Sequence, residues 1–201
     1  MESQKRIILG VTGASGVVYA KRALQALKAA HVETHLVMSR AAEMTITYEL
    51  GEKPSTLSED ATYRYSINDI GAAIASGSFE TDGMLIVPCS VKTMSEIAAG
   101  TTSTLLTRAA DVVLKERRPL VLAVRETPFH LGHLRTMTQL SEMGAVIAPP
   151  LPAFYANPQS LDEMIDQSVG RLLDQLKIKT DLVKRWGTDI KRGGNATKPQ
   201  G

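Results

Sequence analysis

Four short stretches of this chain combine hydroxyls, glycine or charge with an apolar run directly before them, and chemistry is expected there. They are Gly13-Ala14-Ser15-Gly16, Ser39-Arg40, Pro88-Cys89-Ser90-Val91-Lys92-Thr93 and Arg125-Glu126-Thr127. The hydroxyls of Ser15, Ser39, Ser90 and Thr93, with the unsatisfied N–H groups of a helix start, suit an anion such as phosphate. The plainer role of each is to cap a helix, and Ser15 and Ser90 can do both. Arg125 can fork onto a phosphate or a polarised oxygen, and Glu126 beside it can carry a proton; the plainer alternative is a structural ion pair. Glycines at 10, 13 and 16 let a backbone approach a ligand closely, which predicts an anionic group at the N-terminus of the helix that follows. His130 and His133, at i and i+3, lack a third ligand at suitable spacing, so no metal is expected.

These stretches need strands and helices to hold them. Ile7 to Val11, Thr34 to Met38, Met84 to Val87, Leu120 to Val124 and Ala145 to Ala148 are short apolar runs that read as strands buried on both faces. Helical periodicity fills the intervals at 15–30, 40–50, 91–99, 103–117 and 130–143, and the polar segment 51–66 reads as a surface connection. Strands alternating with helices predict an α/β fold: a doubly wound, mostly parallel sheet in a Rossmann-like three-layer α/β/α arrangement, with ligands outside the carboxyl ends of the strands. A proline-rich loop, residues 148–158, carries Phe154 and Tyr155 and can hold an aromatic ring over a neighbouring site. Ser160 to Leu176 is a last amphipathic helix, with Ser160 as N-cap and Glu163 completing a capping box.

The chain has 201 residues, of which 43% are hydrophobic, enough for one buried α/β domain. That domain is expected over residues 1–186, with 187–201, glycine-rich and basic, as a flexible C-terminal tail. With 23 Lys and Arg against 21 Asp and Glu, the net charge of +2 is too balanced for nucleic-acid binding. One cysteine, Cys89, excludes an intramolecular disulfide framework, and no signal peptide or membrane span is recognisable, so a cytoplasmic location is expected. The glycine turn alone would also suit a nicotinamide dinucleotide. Enzymes of that kind pair a tyrosine with a lysine four residues on, whereas Tyr19, Tyr48, Tyr63, Tyr65 and Tyr155 are followed there by Ala, Glu, Ile, Asp and Gln.

The strings VTGASG, DGMLIVPCS, RAADVVLKERRPLVL, RETP and GAVIAPPLPAFY, with a closing Arg185-Trp186, resemble the UbiX family of flavin prenyltransferases, including the UbiX-like components of hydroxyarylic acid decarboxylase systems. The likeness runs from about residue 5 to 186 and keeps the order of the motifs. Related flavin-containing cysteine decarboxylases carry a PASANT-like loop where this chain has PCSVKT, and their PxMNxxMW block is absent.

The resemblance implies that the dimethylallyl group of dimethylallyl phosphate is joined to N5 and C6 of reduced FMN, giving prenylated FMN for a UbiD-type decarboxylase, with no metal. It implies FMN contacts at Gly13, Ala14, Ser15, Ser39, Ser90, Val91, Lys92, Thr93 and Arg125, and prenyl-phosphate contacts at Tyr155 and Arg171. Glu49, Arg108, Lys115 and Glu126 are further polar positions that match. Lys115, Arg125, Arg171 and Arg108 can stabilise a departing phosphate carrying up to about two negative charges. Glu126 with Ser15, or Glu49, supplies acid and base, without a division of roles. Arg171 lies off the Val169/Leu172/Leu176 stripe and from pattern alone reads as a solvent-facing charge; the resemblance implies homo-oligomers, commonly dodecamers, in which an outward residue can serve a neighbour's ligand. The alternative is an accessory protein of an aromatic acid decarboxylase that carries the flavin without prenyl transfer. This chain departs from many members at 130–137, where Arg135-Thr136 replaces an acidic-amide pair, and at a position near Ile70 that is often a larger aromatic residue.

Overall fold

The computed structural model describes residues 4–190. Along them run β1 (Arg6–Val11), α1 (Val17–Ala29), β2 (Glu33–Met38), α2 (Arg40–Leu50), α3 (Pro54–Ser58), β3 (Tyr63–Tyr65), β4 (Gly83–Cys89), α4 (Val91–Ala98), α5 (Leu105–Lys115), β5 (Leu120–Val124), α6 (Leu131–Glu142), β6 (Val146–Ile147) and α7 (Leu161–Gln175). Single 3-10 turns occupy Ala73–Ala75 and Phe154–Ala156. The six strands form one sheet in the order β3-β2-β1-β4-β5-β6, and every pairing is parallel.

Consecutive apolar residues make these strands because both faces are covered. Ile7, Leu9 and Val11 of β1 pack with Leu85, Val87, Val121 and Ala123 against α1, α2 and α7, while Ile8, Met84, Ile86, Leu120 and Leu122 pack against α4, α5 and α6. The result is the three-layer α/β/α arrangement expected. The order reverses between β1 and β4, and there the chain after each strand turns to opposite faces and opens a crevice at the carboxyl ends.

One expectation is corrected. The segment 51–66 is not only a connection: it contains α3 and the edge strand β3. Three residues, Tyr-Arg-Tyr, offer no apolar run to read. They join the sheet because Tyr63 and Tyr65, two apart and so on one face, stack against the buried ring of His35 with centroids 4.9 and 5.7 Å away.

The N-terminus of α7 is capped by Ser160, whose Oγ accepts from Glu163 N–H at 3.1 Å, but the Glu163 carboxylate reaches back to Gln159 N–H at 3.2 Å. Of the expected tail, residues 187–190 close a turn in which Asp189 N–H donates to Arg185 O at 2.9 Å; residues 191–201 lie outside the described residues.

Candidate active site

The first requirement of a site at the β1–β4 crevice is that the two strand ends stay in register. Thr12, 1% exposed, does this: its Oγ1 donates to Pro88 O at 2.7 Å and accepts from Ser90 N–H at 2.8 Å. The loops 13–16 and 88–93 are thereby tied together. Arg125 joins them through the backbone, its N–H donating to Cys89 O at 3.0 Å. Ser39 is held by donation from its N–H to Val11 O at 3.0 Å.

The glycine-rich turn is shaped by its neighbours. A Cβ on Gly13 would lie 2.3 Å from Ala41 Cβ, so only glycine lets the turn seat against the start of α2. Gly16 takes φ 102°, the left-handed region that favours glycine, and begins α1 without a side-chain cap. The anionic group at that helix start is Glu49. Its Oε2 accepts from Gly16 N–H at 2.9 Å and from Val17 N–H at 3.1 Å. Burial pushes this carboxyl up, but the Ser15 hydroxyl, the two N–H groups and the charge of Arg125 outweigh it and hold Glu49 below the usual carboxylate range. Ser15 and Arg125, far apart in the chain, thus act on the one carboxylate of Glu49.

The other helix starts keep donors for a ligand. Ser39 Oγ accepts from Ala42 N–H at 3.1 Å, and Ser90 Oγ from Thr93 N–H at 3.3 Å while donating to Thr93 Oγ1 at 3.2 Å. Both serines are caps, as their plainer role predicted. The N–H groups of Val91 and Lys92, which a helix cannot satisfy internally, stand at the crevice. Lys92 pairs with Glu96 one turn along α4 at 2.9 Å. Arg125 forms no ion pair with Glu126 among the described residues, and Glu126 Oε1 instead accepts from Thr127 N–H at 2.9 Å. Cys89, fully buried, has its thiol pushed up to about 12 by burial and is no nucleophile at neutral pH. A set of hydroxyls, helix-start N–H groups and one guanidinium around a crevice fits a flavin mononucleotide, whose phosphate and ring oxygens are acceptors.

The remaining expected residues lie elsewhere in the protomer. Tyr155, on the turn after β6, and Arg171, on α7, belong to a second group with Gln167, Asp174, Arg185 and Trp186. Tyr155 stands edge-on to Trp186 with centroids 5.8 Å apart, and its Oη accepts from Gln167 Nε2 at 3.3 Å. Arg171 donates to Asp174 Oδ2 at 2.7 Å, and Arg185 grips both oxygens of Asp174 at 3.0 and 2.9 Å. Arg108 is held by Ala75 O at 3.2 Å and Asp111 at 2.8 Å. Lys115 ends α5, pairs with Glu116 and lies beside Gly77. Because α5 runs back against the strand direction before β5 begins at Leu120, Lys115 sits at the amino ends of the strands, opposite the crevice.

Sequence reading missed Thr12, Gln167 and Asp174. A hydroxyl immediately after a strand was the available signal for Thr12; Gln167 and Asp174 sit on a helix whose polar residues all read alike. Among the described residues no cluster of three His, Cys, Asp or Glu could hold a metal, and no helix is long and apolar enough to cross a membrane. His130 and His133 stack on each other at 3.5 Å, and His130 Nδ1 caps α6 by accepting from His133 N–H.

Comparison with known proteins gives three close likenesses besides a family match. The family described as Flavoprotein matches residues 1–184. A flavin prenyltransferase UbiX of Escherichia coli K12 is 57% identical over 185 residues, covering 90% of this chain and 98% of its own. A UbiX protein solved in complex with FMN and dimethylallyl pyrophosphate superposes with a TM-score of 0.90 at 49% identity, over 91% of this chain and 97% of its own. A dodecameric FMN-dependent UbiX-like decarboxylase from Escherichia coli O157:H7 gives a TM-score of 0.88 at 44% identity, over 90% and 98% of the two chains.

Proposed function

The chain belongs to the flavoprotein family, among its UbiX flavin prenyltransferases, and from that premise we propose that it joins the dimethylallyl group of dimethylallyl phosphate to N5 and C6 of reduced FMN, giving prenylated FMN. The observation that carries this reading is the convergence of Ser15, Glu49 and Arg125 at the β1–β4 crevice. Gly13, Ala14, Ser15, Ser39, Ser90, Val91, Lys92, Thr93 and Arg125 hold the FMN. Reduced FMN, when bound, supplies the nucleophilic N5 and C6 to which the five-carbon group is joined.

The chain's own residues do the rest. Arg125, Arg171, Lys115 and Arg108 meet the developing charge on the departing phosphate. Tyr155 offers a π face to the positive charge that grows on the allyl group and helps exclude water from it. Glu49, held low and therefore ionised at neutral pH, accepts the proton lost from C6, and the Ser15 hydroxyl bonded to it orients that carboxylate. Glu126, at the end of β5, is the remaining carboxyl for proton return.

Lys115, Arg108 and the Tyr155–Arg171 group reach the crevice of another copy, so the working site is assembled in a homo-oligomer, a dodecamer on the pattern of the solved relative. Around Tyr155 the side chains of Leu151 and Phe154 are each 73% exposed and supply apolar surface for such a contact. The product's recipient is a UbiD-type decarboxylase, and the site of action is the cytoplasm.

Anaerobic incubation with reduced FMN and either dimethylallyl phosphate or the diphosphate, followed by mass analysis of the released flavin, tests this. A five-carbon adduct is expected with the monophosphate. Unchanged FMN bound to folded protein with both donors would replace the reading by that of a flavin carrier.

A further inference from the structure

We propose that Gln167 is a positioning residue for the phosphate donor, its buried amide setting the direction in which the Tyr155 hydroxyl donates. The inference rests on the reading of Tyr155 and Arg171 as donor contacts.

Gln167 is 3% exposed on α7 and spends its whole amide on two partners from other parts of the chain. Oε1 accepts from Lys184 N–H at 2.8 Å, and Nε2 donates to Lys184 O at 3.3 Å and to Tyr155 Oη at 3.3 Å. Lys184 therefore reads both ends of the amide. Turning it over would set oxygen against the Lys184 carbonyl and N–H against N–H, two repulsive pairs. The end that faces Tyr155 is in consequence always a donor, so the phenol oxygen must accept.

An oxygen that accepts there turns its own proton elsewhere. Tyr155 is 48% exposed and stands edge-on to Trp186, which leaves open space for that proton on the side away from Gln167. Arg171 follows Gln167 by one helical turn, on the same side of α7, and the two line one cavity of about 180 Å³ with Pro149 and Ala153. A phosphate monoester meeting the Arg171 guanidinium at this surface needs neutral donors beside the charge, and a phenol locked as an outward donor is one. An amide at 167 thus acts on a ligand it does not touch. It also binds α7, the Phe154–Ala156 turn and the Lys184–Trp186 segment into one unit.

A double-mutant cycle on the full-length, FMN-loaded protein tests this. Gln167→Glu keeps the shape but presents an acceptor to Tyr155, turning the phenol proton inward. The dissociation constant for dimethylallyl phosphate, measured by calorimetry, is expected to rise about tenfold or more in the native background and less than about twofold in Tyr155→Phe, with FMN affinity unchanged in both. An equal rise in the two backgrounds overturns the proposal, because a purely structural amide would not notice the missing hydroxyl. If Gln167→Glu fails to fold, Gln167→Met takes its place in the same cycle: coupling of about threefold or more with Tyr155→Phe supports the proposal, and simple additivity overturns it. Wild-type protein that binds FMN but no dimethylallyl phosphate would remove the reading of Tyr155 as a donor contact, and this proposal with it.

Discussion

Glu49 caps α1 from another helix: its Oε2 accepts from the N–H groups of Gly16 at 2.9 Å and Val17 at 3.1 Å. A carboxylate at a helix N-terminus is favoured by the unsatisfied N–H groups and the helix dipole. The same carboxylate receives the Ser15 hydroxyl and the field of Arg125. One bond pattern therefore locks α2 to the glycine-rich turn and keeps the carboxylate ionised, as the proposed role of Glu49 as base requires.

The pH dependence follows from its sign. A carboxyl held lower in the folded than in the unfolded state adds stability above its ordinary value near 4.5, and that stability is lost as pH falls through the depressed folded value. Glu49→Gln is expected to unfold at a lower temperature than wild type at neutral pH, with the difference vanishing toward acid; thermal melts over a pH series check this. Prenyl transfer by the same variant should fall about a hundredfold or more. A variant as active as wild type would move the base elsewhere.

Gly13→Ala places a methyl 2.3 Å from Ala41 Cβ. The turn must lift from α2, and we expect a loss of about 1–3 kcal/mol in stability together with weakened FMN binding. Denaturant unfolding and flavin titration measure the two. Undiminished stability would mean the turn yields freely.

Arg171→Ala should raise the KM for dimethylallyl phosphate by about tenfold to a hundredfold while FMN affinity stays the same. Asp174, gripped also by Arg185, retains a partner in that variant, so the protein should fold. Equal losses of both ligands would mean that α7 holds the flavin too.

Lys115 and Glu49 lie at opposite ends of the sheet in one protomer. If they serve one site from two copies, Lys115→Ala and Glu49→Gln chains, each inactive alone, should recover part of the activity when co-expressed and assembled together. Activity that stays at the level of either variant would place the two residues in separate tasks.

His35 offers a second pH-dependent feature, at the far side of the sheet. It is 1% exposed, its Nδ1 lies 2.8 Å from Tyr65 Oη and its Nε2 2.8 Å from Glu33 Oε1. Burial holds its pKa below the ordinary 6.5, against the opposing pull of Glu33. The unfolded chain therefore takes up a proton there that the native state refuses, and stability should decline as pH falls below 6.5. Unfolding free energies of wild type and His35→Gln across that range compare the slopes; the variant should show the shallower one.

Where a property depends on neighbours in the chain, it was legible. Five of the strands and the helices at 40–50 and 161–175 follow from runs and periods that a few consecutive residues define, and the crevice loops follow from where those strands stop. The edge strand Tyr63–Tyr65 was not, because its reason for being a strand is a histidine nearly thirty residues away in sequence. The same holds for the site. Ser15, Ser39, Ser90 and Arg125 announce themselves at strand ends, whereas Glu49 looks like any acidic residue on an exposed helix face until α2 docks beside α1. Gln167, Asp174 and the distance between Lys115 and the crevice likewise come from how helices pack and run against the sheet. Sequence alone determined the elements and the loops that could carry chemistry; tertiary structure decided which charges meet, since hydrogen bonds and ion pairs between distant segments leave no local periodicity to read.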